Sequence, residues 1–244
     1  MALKASTASP DEIAKFSALA DSWWDPAGAF RPLHKFNPAR IRFVRDRLAA
    51  HFGREPLSQP GAGLDLLDIG CGGGLIAEPM ARLGFKVTGI DAGEKNVGVA
   101  RLHAARSQLD IAYEDTTPEA LAARGQRFDV VLALEVVEHV TDVDEFLGAA
   151  ASLVAPGGAL IAATLNRTSK SLAFGKIAAE YVLRWVPAGT HDWRKFVRPS
   201  ELVSSLRRSG LIVTELAGMS YDLLTDSWRA SKDLDVNYLV VAKR

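Results

Sequence analysis

From residue 64 onward the chain alternates short apolar runs with segments of helical period. The runs at 64–69, 85–91, 109–113, 128–134 and 159–164 have strand length. Between them, apolar residues recur every three or four positions over 74–83, 95–108, 118–124 and 143–154. Strand and helix in strict alternation predict a doubly wound α/β sheet, mostly parallel and covered on both faces. A helix at 199–208 and strands at 211–216 and 236–242 close the pattern. Before it, Ile13, Phe16, Leu19 and Ala20 mark a helix that starts near Asp11 and ends near Pro26. A Pro/Gly-punctuated stretch at 27–38 leads to a second helix carrying Ile41, Val44, Leu48 and Phe52, and 53–63 reads as a loop. Pro79 inside the 74–83 helix predicts a kink.

With no second core visible, the expectation is one domain over 1–244. It divides into a helical cover (1–63), a nucleotide-binding core (64–164), an insertion (165–198) and a closing helix and strands (199–244). The 244 residues, 48% of them hydrophobic, suffice for a proper core. Lys and Arg total 29 and Asp and Glu total 29, so the broad positive field of a nucleic-acid binder is missing and no nucleic-acid partner is expected. The one cysteine, Cys71, cannot close an internal disulfide and suits a reducing compartment; its small size explains its place in a loop better than nucleophilic chemistry does. No apolar run reaches the ~20 residues needed to span a bilayer, and the start lacks a secretory apolar core. The expected location is cytoplasmic.

Candidate chemistry begins at Asp68-Ile-Gly70-Cys-Gly72-Gly-Gly74, between an apolar strand and a helix. Glycines there permit a sharp turn and close approach of a ligand to the backbone. Asp91 ends the next strand, where a carboxylate can accept hydrogen bonds from both hydroxyls of a ribose. A dinucleotide fingerprint fails at Leu75 when counted from Gly70, yet fits Gly72, Gly74 and Ala77 on spacing. Spacing therefore leaves a nicotinamide-dependent dehydrogenase open beside other nucleotide enzymes.

A second constellation follows the strand 128–134. If helix begins at once, Glu135, Glu138 and His139 fall at i, i+3 and i+4 and share a face. Two carboxylates and an imidazole suit a hard divalent cation, which would lower the pKa of a phenol beside it; His139 is the alternative acceptor of the proton. The competing reading is a solvated acidic helix start.

These loops lie within a longer match. Glu12-Ile-Ala-Lys-Phe16, Trp23-Trp24-Asp25, Pro32-Leu-His34, Asn37-Pro38-Ala-Arg40, Leu67-Asp-Ile-Gly-Cys-Gly-Gly-Gly74, Glu135-Val-Val-Glu-His139, Thr164-Leu-Asn-Arg167, Gly189-Thr-His-Asp192 and Asp235-Val-Asn-Tyr238 together resemble the ubiquinone biosynthesis O-methyltransferases. The glycine loop is common to many class I methyltransferases; the Trp-Trp-Asp, Asn-Pro-x-Arg, Gly-Thr-His-Asp and Asp-Val-Asn-Tyr elements together are far more specific. The resemblance implies a seven-stranded Rossmann-like sheet whose last strand is inserted antiparallel. It implies methyl transfer from S-adenosylmethionine to polyprenylated phenol or catechol precursors of ubiquinone, at both O-methylation steps. By motif match Arg40, Asp68, Gly70, Gly72, Gly74, Asp91 and Leu134 are implied cofactor contacts. Glu135, Glu138 and His139 are implied magnesium ligands, with Glu138 and His139 at the chemistry. The rivals are a related methyltransferase acting on another small molecule, the dehydrogenase, and a non-catalytic cofactor-binding scaffold for other pathway proteins.

Between 165 and 198 the chain is longer than a connection requires. Seven cations (Arg167, Lys170, Lys176, Arg184, Arg194, Lys195, Arg198) outnumber Glu180 and Asp192, and Lys176, Glu180 and Arg184 line up at helical spacing amid apolar residues such as Tyr181 and Trp185. A helix packed on the domain is the plain reading. The sharper one is a lid that touches an anionic membrane surface, making the protein peripheral. His34 and His191 are further candidates to reach the substrate, Trp193 stands at the entrance, and Trp23 and Trp24 read as packing or cover residues.

Overall fold

The computed structural model describes residues 6–173, 192–222 and 224–244. In chain order its elements are α1 (Pro10–Ala18), α2 (Arg31–His51), β1 (Asp65–Ile69), α3 (Ala77–Arg82), β2 (Lys86–Asp91), α4 (Glu94–Arg106), β3 (Ile111–Asp115), α5 (Pro118–Ala123), β4 (Phe128–Leu134), α6 (Val143–Ser152), β5 (Val154–Leu165), the single turn α7 (Ser169–Ser171), α8 (Pro199–Arg208), β6 (Ile212–Asp222), β7 (Ser227–Ser231) and β8 (Asn237–Lys243). The strands form one sheet of order β3-β2-β1-β4-β5-β8-β6-β7. β1 pairs in parallel with β2 on one side and with β4 on the other, so strand order reverses at β1 and opens a crevice beyond its carboxyl end. β8 runs antiparallel between β5 and β6, as the resemblance implied. β7 pairs with the far half of β6 and brings the sheet to eight strands.

Alternation along the strands builds the two covered faces. Leu66, Val130 and Ile161 meet Phe43, Val44 and Leu48 of α2 and Met80 of α3. Leu67, Val131 and Leu160 meet Phe146 and Leu147 of α6 and Leu202 and Leu206 of α8. Each fully buried leucine of this kind contributes roughly 2 kcal/mol relative to an exposed one, which is what holds the crevice walls at fixed spacing.

Three local outcomes differ from the sequence pattern. Helix α2 begins at Arg31, within the stretch read as irregular. Pro32 sits in its first turn, where no N–H is needed, and Pro38 forgoes one helical hydrogen bond while buried Phe43, Val44 and Leu48 keep the helix continuous. Helix α3 starts at Ala77, which places Pro79 in its first turn and removes the reason for a kink. After β4 there is no immediate helix: Glu135 takes a left-handed backbone (φ 58°), and a short 3-10 turn spans Val137–His139. Among the described residues no helix is long and apolar enough to cross a membrane.

Candidate active site

The glycine loop turns directly over the end of β2. The N–H groups of Gly70 and Cys71 donate to the Ile90 carbonyl at 2.8 and 2.9 Å. Gly70 and Gly72 have φ of 70° and 52°. A Cβ on Gly70 would meet Val136 at 2.3 Å, and one on Gly72 would meet the Trp23 ring at 2.5 Å, so conformation and close packing both require glycine here. Asp91 braces the loop from below. Its Oδ2 accepts from the Gly72 N–H at 3.1 Å, and its Oδ1 accepts from the Gly93 N–H at 2.8 Å and from Asn96 Nδ2 at 3.0 Å. Burial pushes the Asp91 carboxyl up, and these donors oppose the shift. A carboxylate has about four acceptor positions, so a ribose would share Asp91 with the loop.

The two tryptophans cover this loop. Trp23 stacks on Phe30 at 3.6 Å between ring centroids and donates Nε1 to Asn96 Oδ1 at 3.0 Å. Trp24 donates Nε1 to the Gly73 carbonyl at 2.8 Å and stacks on His103 at 3.4 Å; His103 Nδ1 in turn meets the buried Glu78 at 2.5 Å. The cover is therefore tied to the backbone that a nucleotide would touch. His34 turns its Nε2 to the Trp23 carbonyl at 2.8 Å, which gives it a structural task beside the crevice. Cys71 is buried and its thiol is pushed up by burial, so no thiolate nucleophile is offered.

A buried polar network lines the other side. Arg40, 2% exposed, directs Nε and Nη2 to Asn37 Oδ1 and Nη1 to Glu135 Oε1 at 3.1 Å, with its guanidinium 4.5 Å from the Phe36 ring. Asp68 is equally buried, and its Oδ2 has no donor within the protein. Burial raises its pKa to about 7, against the pull of Arg40. Glu135 is pushed up by burial and by the adjacent Glu138. Glu138 accepts from Thr164 Oγ1 at 2.6 Å through Oε2, while its buried Oε1 receives no donor.

His139 closes the set from above. Its Nδ1 lies 3.1 Å from Glu12 Oε2 of α1, and its ring stands edge-on to Phe16 at 5.1 Å. The bond to His139 holds the Glu12 carboxyl down at about 2, with Lys15 and Lys195 adding to it. Glu135, Glu138 and His139 thus come to one place, but not as one helix face: Glu135 belongs to the strand end and His139 turns toward α1. Among the described residues no three His, Cys, Asp or Glu side chains are gathered as a metal site requires.

Two cavities meet at this point. One, of about 140 Å³, is bordered by Asp91, Asn96, Glu119 and Val136; the other, of about 150 Å³, by Asn37, Arg40, Asp68 and Leu134. Phe16, Trp23, Gly70, Glu135 and His139 border both. The arrangement can hold an elongated ligand across Gly70, a sugar at one end and an amino-acid group at the other, with Glu135 and His139 at the join. Of the sequence candidates, Arg40, Asp68, Gly70, Gly72, Asp91, Leu134, Glu135 and His139 line these spaces; Glu138 lies behind Glu135, and Gly74 faces the Tyr113 hydroxyl. Glu12, Asn37, Asn96 and Thr164 were not singled out as functional. Asn96 had a local signal, an amide in the first turn after Asp91, and Asn37 lies three residues before Arg40 on one helix; Glu12 and Thr164 reach the site only through tertiary packing.

In the insertion, His191 and the Lys176–Glu180–Arg184 stripe lie outside the described residues. Three of the insertion's other cations are committed internally: Arg167 to Glu201, Lys170 to Asp233 and Asp235, and Lys195 to Glu12. Trp193 donates Nε1 to the Thr168 carbonyl at 2.8 Å.

Comparison with known proteins supplies the chemical class. Residues 34–216 match the family model described as a methyltransferase domain. The chain is 57% identical over 235 residues to a ubiquinone biosynthesis O-methyltransferase of Paramagnetospirillum magneticum, covering 96% of this chain and 94% of that protein. It is 56% identical to the protein of that name from Sinorhizobium medicae, covering 98% and 96%. Among solved structures, the magnesium protoporphyrin IX methyltransferase ChlM of Synechocystis with bound SAH shares the fold (TM-score 0.66, 20% identity, 95% of this chain and 94% of that one). The [4+2]-cyclase SpnF shares it too (TM-score 0.58, 16% identity, 83% and 80%), so the fold alone does not fix the reaction. The dehydrogenase register at Gly72, Gly74 and Ala77 is set aside by the family match. This chain belongs to the methyltransferase-domain family and, within it, to the ubiquinone biosynthesis O-methyltransferases; it is an S-adenosylmethionine-dependent O-methyltransferase of class I fold.

Proposed function

We propose that, as a member of that family, the protein methylates the phenolic oxygen of polyprenylated phenol and catechol precursors of ubiquinone, serving both O-methylation steps. The observation that carries this reading is the junction at Gly70. A space with a sugar-binding carboxylate (Asp91) and a space with a buried Arg40 and Asp68 meet beside Glu135 and His139. S-adenosylmethionine supplies an electrophilic methyl, transferred in line as the bond from phenol oxygen to methyl forms and the sulfur–methyl bond breaks. The chain's own groups position and move protons. Asp91 and the glycine loop hold the nucleoside. Arg40, a fixed cation set by Asn37, suits the methionine carboxylate, and Asp68, whose Oδ2 lacks a donor, suits its ammonium. With His139 Nδ1 donating to Glu12, Nε2 is the basic nitrogen that takes the phenol proton. Holding both reactants in one crevice supplies much of the rate.

As the alternative to His139 taking the proton, we further propose magnesium held by the Glu135 and Glu138 carboxyls. The buried Glu138 Oε1 without a donor, beside a second carboxyl that resists ionisation, is a pair a cation would satisfy. Its contribution would be Lewis-acid stabilisation of negative charge on the phenol oxygen. The cationic insertion 165–198 supports a further reading, contact with anionic lipid where the prenylated substrate resides. Under it, deletion of 170–188 lowers flotation with anionic vesicles, and undiminished flotation removes that reading.

The test of the reaction is incubation with a donor labelled at the methyl group. Polyprenylated catechol should take label on oxygen, faster with magnesium. Label appearing only on a short-chain or unrelated acceptor would favour another small-molecule substrate.

A further inference from the structure

A base is useful only when one ring nitrogen faces the reacting oxygen and the other is held, and at His139 the holding group comes from the cover, not the core. Glu12 and Phe16 lie four residues apart on α1 and share a face of it. Glu12 Oε2 is 3.1 Å from His139 Nδ1, and the Phe16 ring meets the imidazole edge-on at 5.1 Å. The first contact sets the direction of Nδ1 and the second sets the plane of the ring. The start of α1 is itself pinned to the segment that bears His139: Ala8 forms an antiparallel bridge with Val140, and the Thr7 carbonyl accepts from the Thr141 N–H at 2.9 Å. Glu12 is gripped from a second side. Lys195 Nζ lies 3.2 Å from its Oε1, and Lys15 Nζ lies 3.8 Å from its Oε2. Lys195 ends the short 3-10 turn Trp193–Lys195, and the next two residues, Phe196 and Val197, are buried. The Val197 N–H donates to the Leu165 carbonyl at 3.2 Å, so the backbone that carries this cation is fixed to the sheet.

We propose that Glu12 is a positioning residue for methyl transfer: its carboxylate, clasped by Lys195 at the end of the insertion, fixes the His139 ring with the proton on Nδ1 and the basic Nε2 toward the crevice. The inference rests on the reading in which the phenol proton passes to Nε2, and it adds where the orientation of that nitrogen comes from. A neutral imidazole carries one ring proton, and a carboxylate accepts but does not donate. Glu12 at Nδ1 therefore favours the tautomer whose Nε2 is bare. Helix α1 and the end of the insertion, 183 residues apart in the chain, align the base between them. With either cover displaced, the ring loses that restraint.

The test uses the whole protein with methyl-labelled donor and polyprenylated catechol, and reads kcat and KM separately. Glu12→Ala should lower kcat about 30-fold, the loss typical of an orienting partner, with KM for the catechol within about threefold. Glu12→Gln still offers the Nδ1–H an acceptor of the same reach and should stay within about fivefold of the wild type. Lys195→Met should cost about threefold in kcat, as befits a partly exposed ion pair. Nitrogen-15 spectra of histidine-labelled protein, taken in chelator at alkaline pH, read the tautomer directly, with the His139 signal identified by its loss in His139→Gln. The wild type should carry the proton on Nδ1, and Glu12→Ala should shift it toward Nε2; the wild-type spectrum decides even where the alanine variant does not fold. A wild-type ring protonated on Nε2 overturns the proposal. So does an unchanged kcat in Glu12→Ala or in Lys195→Met, or a loss in Glu12→Gln as large as that in Glu12→Ala. Turnover of His139→Gln equal to the wild type removes the base assignment itself, and failure of the wild type to methylate the catechol removes the proposed reaction; either takes this proposal with it.

Discussion

Arg40 Nη1 donates to Glu135 Oε1 at 3.1 Å, joining helix α2 to the end of β4 across 95 residues of sequence. One side of this contact faces Asp68 and the methionine end of the proposed cofactor, and the other faces Glu138 and the proposed phenol. Under the proposed assignment, cofactor binding and the electrostatics of the reacting oxygen are coupled through one guanidinium.

Replacing Arg40 by alanine leaves Glu135 without its cation and Asn37 without its donor. The expected loss of stability is about 3 kcal/mol, as for other broken buried pairs. Arg40→Lys keeps the charge and loses the fork, so S-adenosylhomocysteine affinity should fall at least about tenfold with a smaller loss of stability. Calorimetry and thermal melts of both variants check this.

Asp68 gives the fold a pH dependence of unusual sign. Its folded pKa, about 7, lies above the 3.8 of an ordinary aspartate. Between those values the folded state binds more protons than the unfolded, so the contribution of this group to stability falls as pH rises through that window. Asp68→Asn should therefore melt higher than the wild type at pH 8, with the gap closing toward pH 5, while cofactor affinity drops. A gap that is constant with pH would show that the carboxyl is not held protonated.

Glu138 touches Thr164 and Glu135 behind the site rather than the cofactor space. Glu138→Ala should abolish stimulation of turnover by magnesium while S-adenosylhomocysteine affinity stays within a few-fold. Full activity of that variant in the presence of chelator would remove the metal from the mechanism.

Trp24 secures the cover through the Gly73 carbonyl and the His103 ring. Trp24→Ala loses one hydrogen bond and one stacked pair, each worth about 1 kcal/mol. Hydrogen exchange at residues 70–74 should accelerate, and cofactor affinity should fall about tenfold.

What the sequence made legible is tied to short-range rules. Strand, glycine turn, helix and spaced acid put Asp68, Gly70, Gly72 and Asp91 along the crevice because each step is local. Glu135 was misplaced on a helix face because non-glycine residues rarely adopt a left-handed backbone, and nothing in Leu134-Glu135-Val136 announces one. The edge strand Ser227–Ser231 has no clear apolar alternation, its residues being partly to fully exposed, and so reads as loop. The bond from Glu12 to His139 spans 127 residues and depends on how α1 docks, which no spacing rule encodes. Nor does any local pattern place Thr7 against Glu119, 112 residues away.

The most direct measurement is a crystal structure with S-adenosylhomocysteine. The expected density crosses Gly70, with ribose hydroxyls on Asp91, the carboxylate on Arg40 and the sulfur facing the Glu135–His139 join. Density for the ligand elsewhere, or a crevice that stays closed at saturating ligand, would contradict the assignment of every residue to its part in methyl transfer.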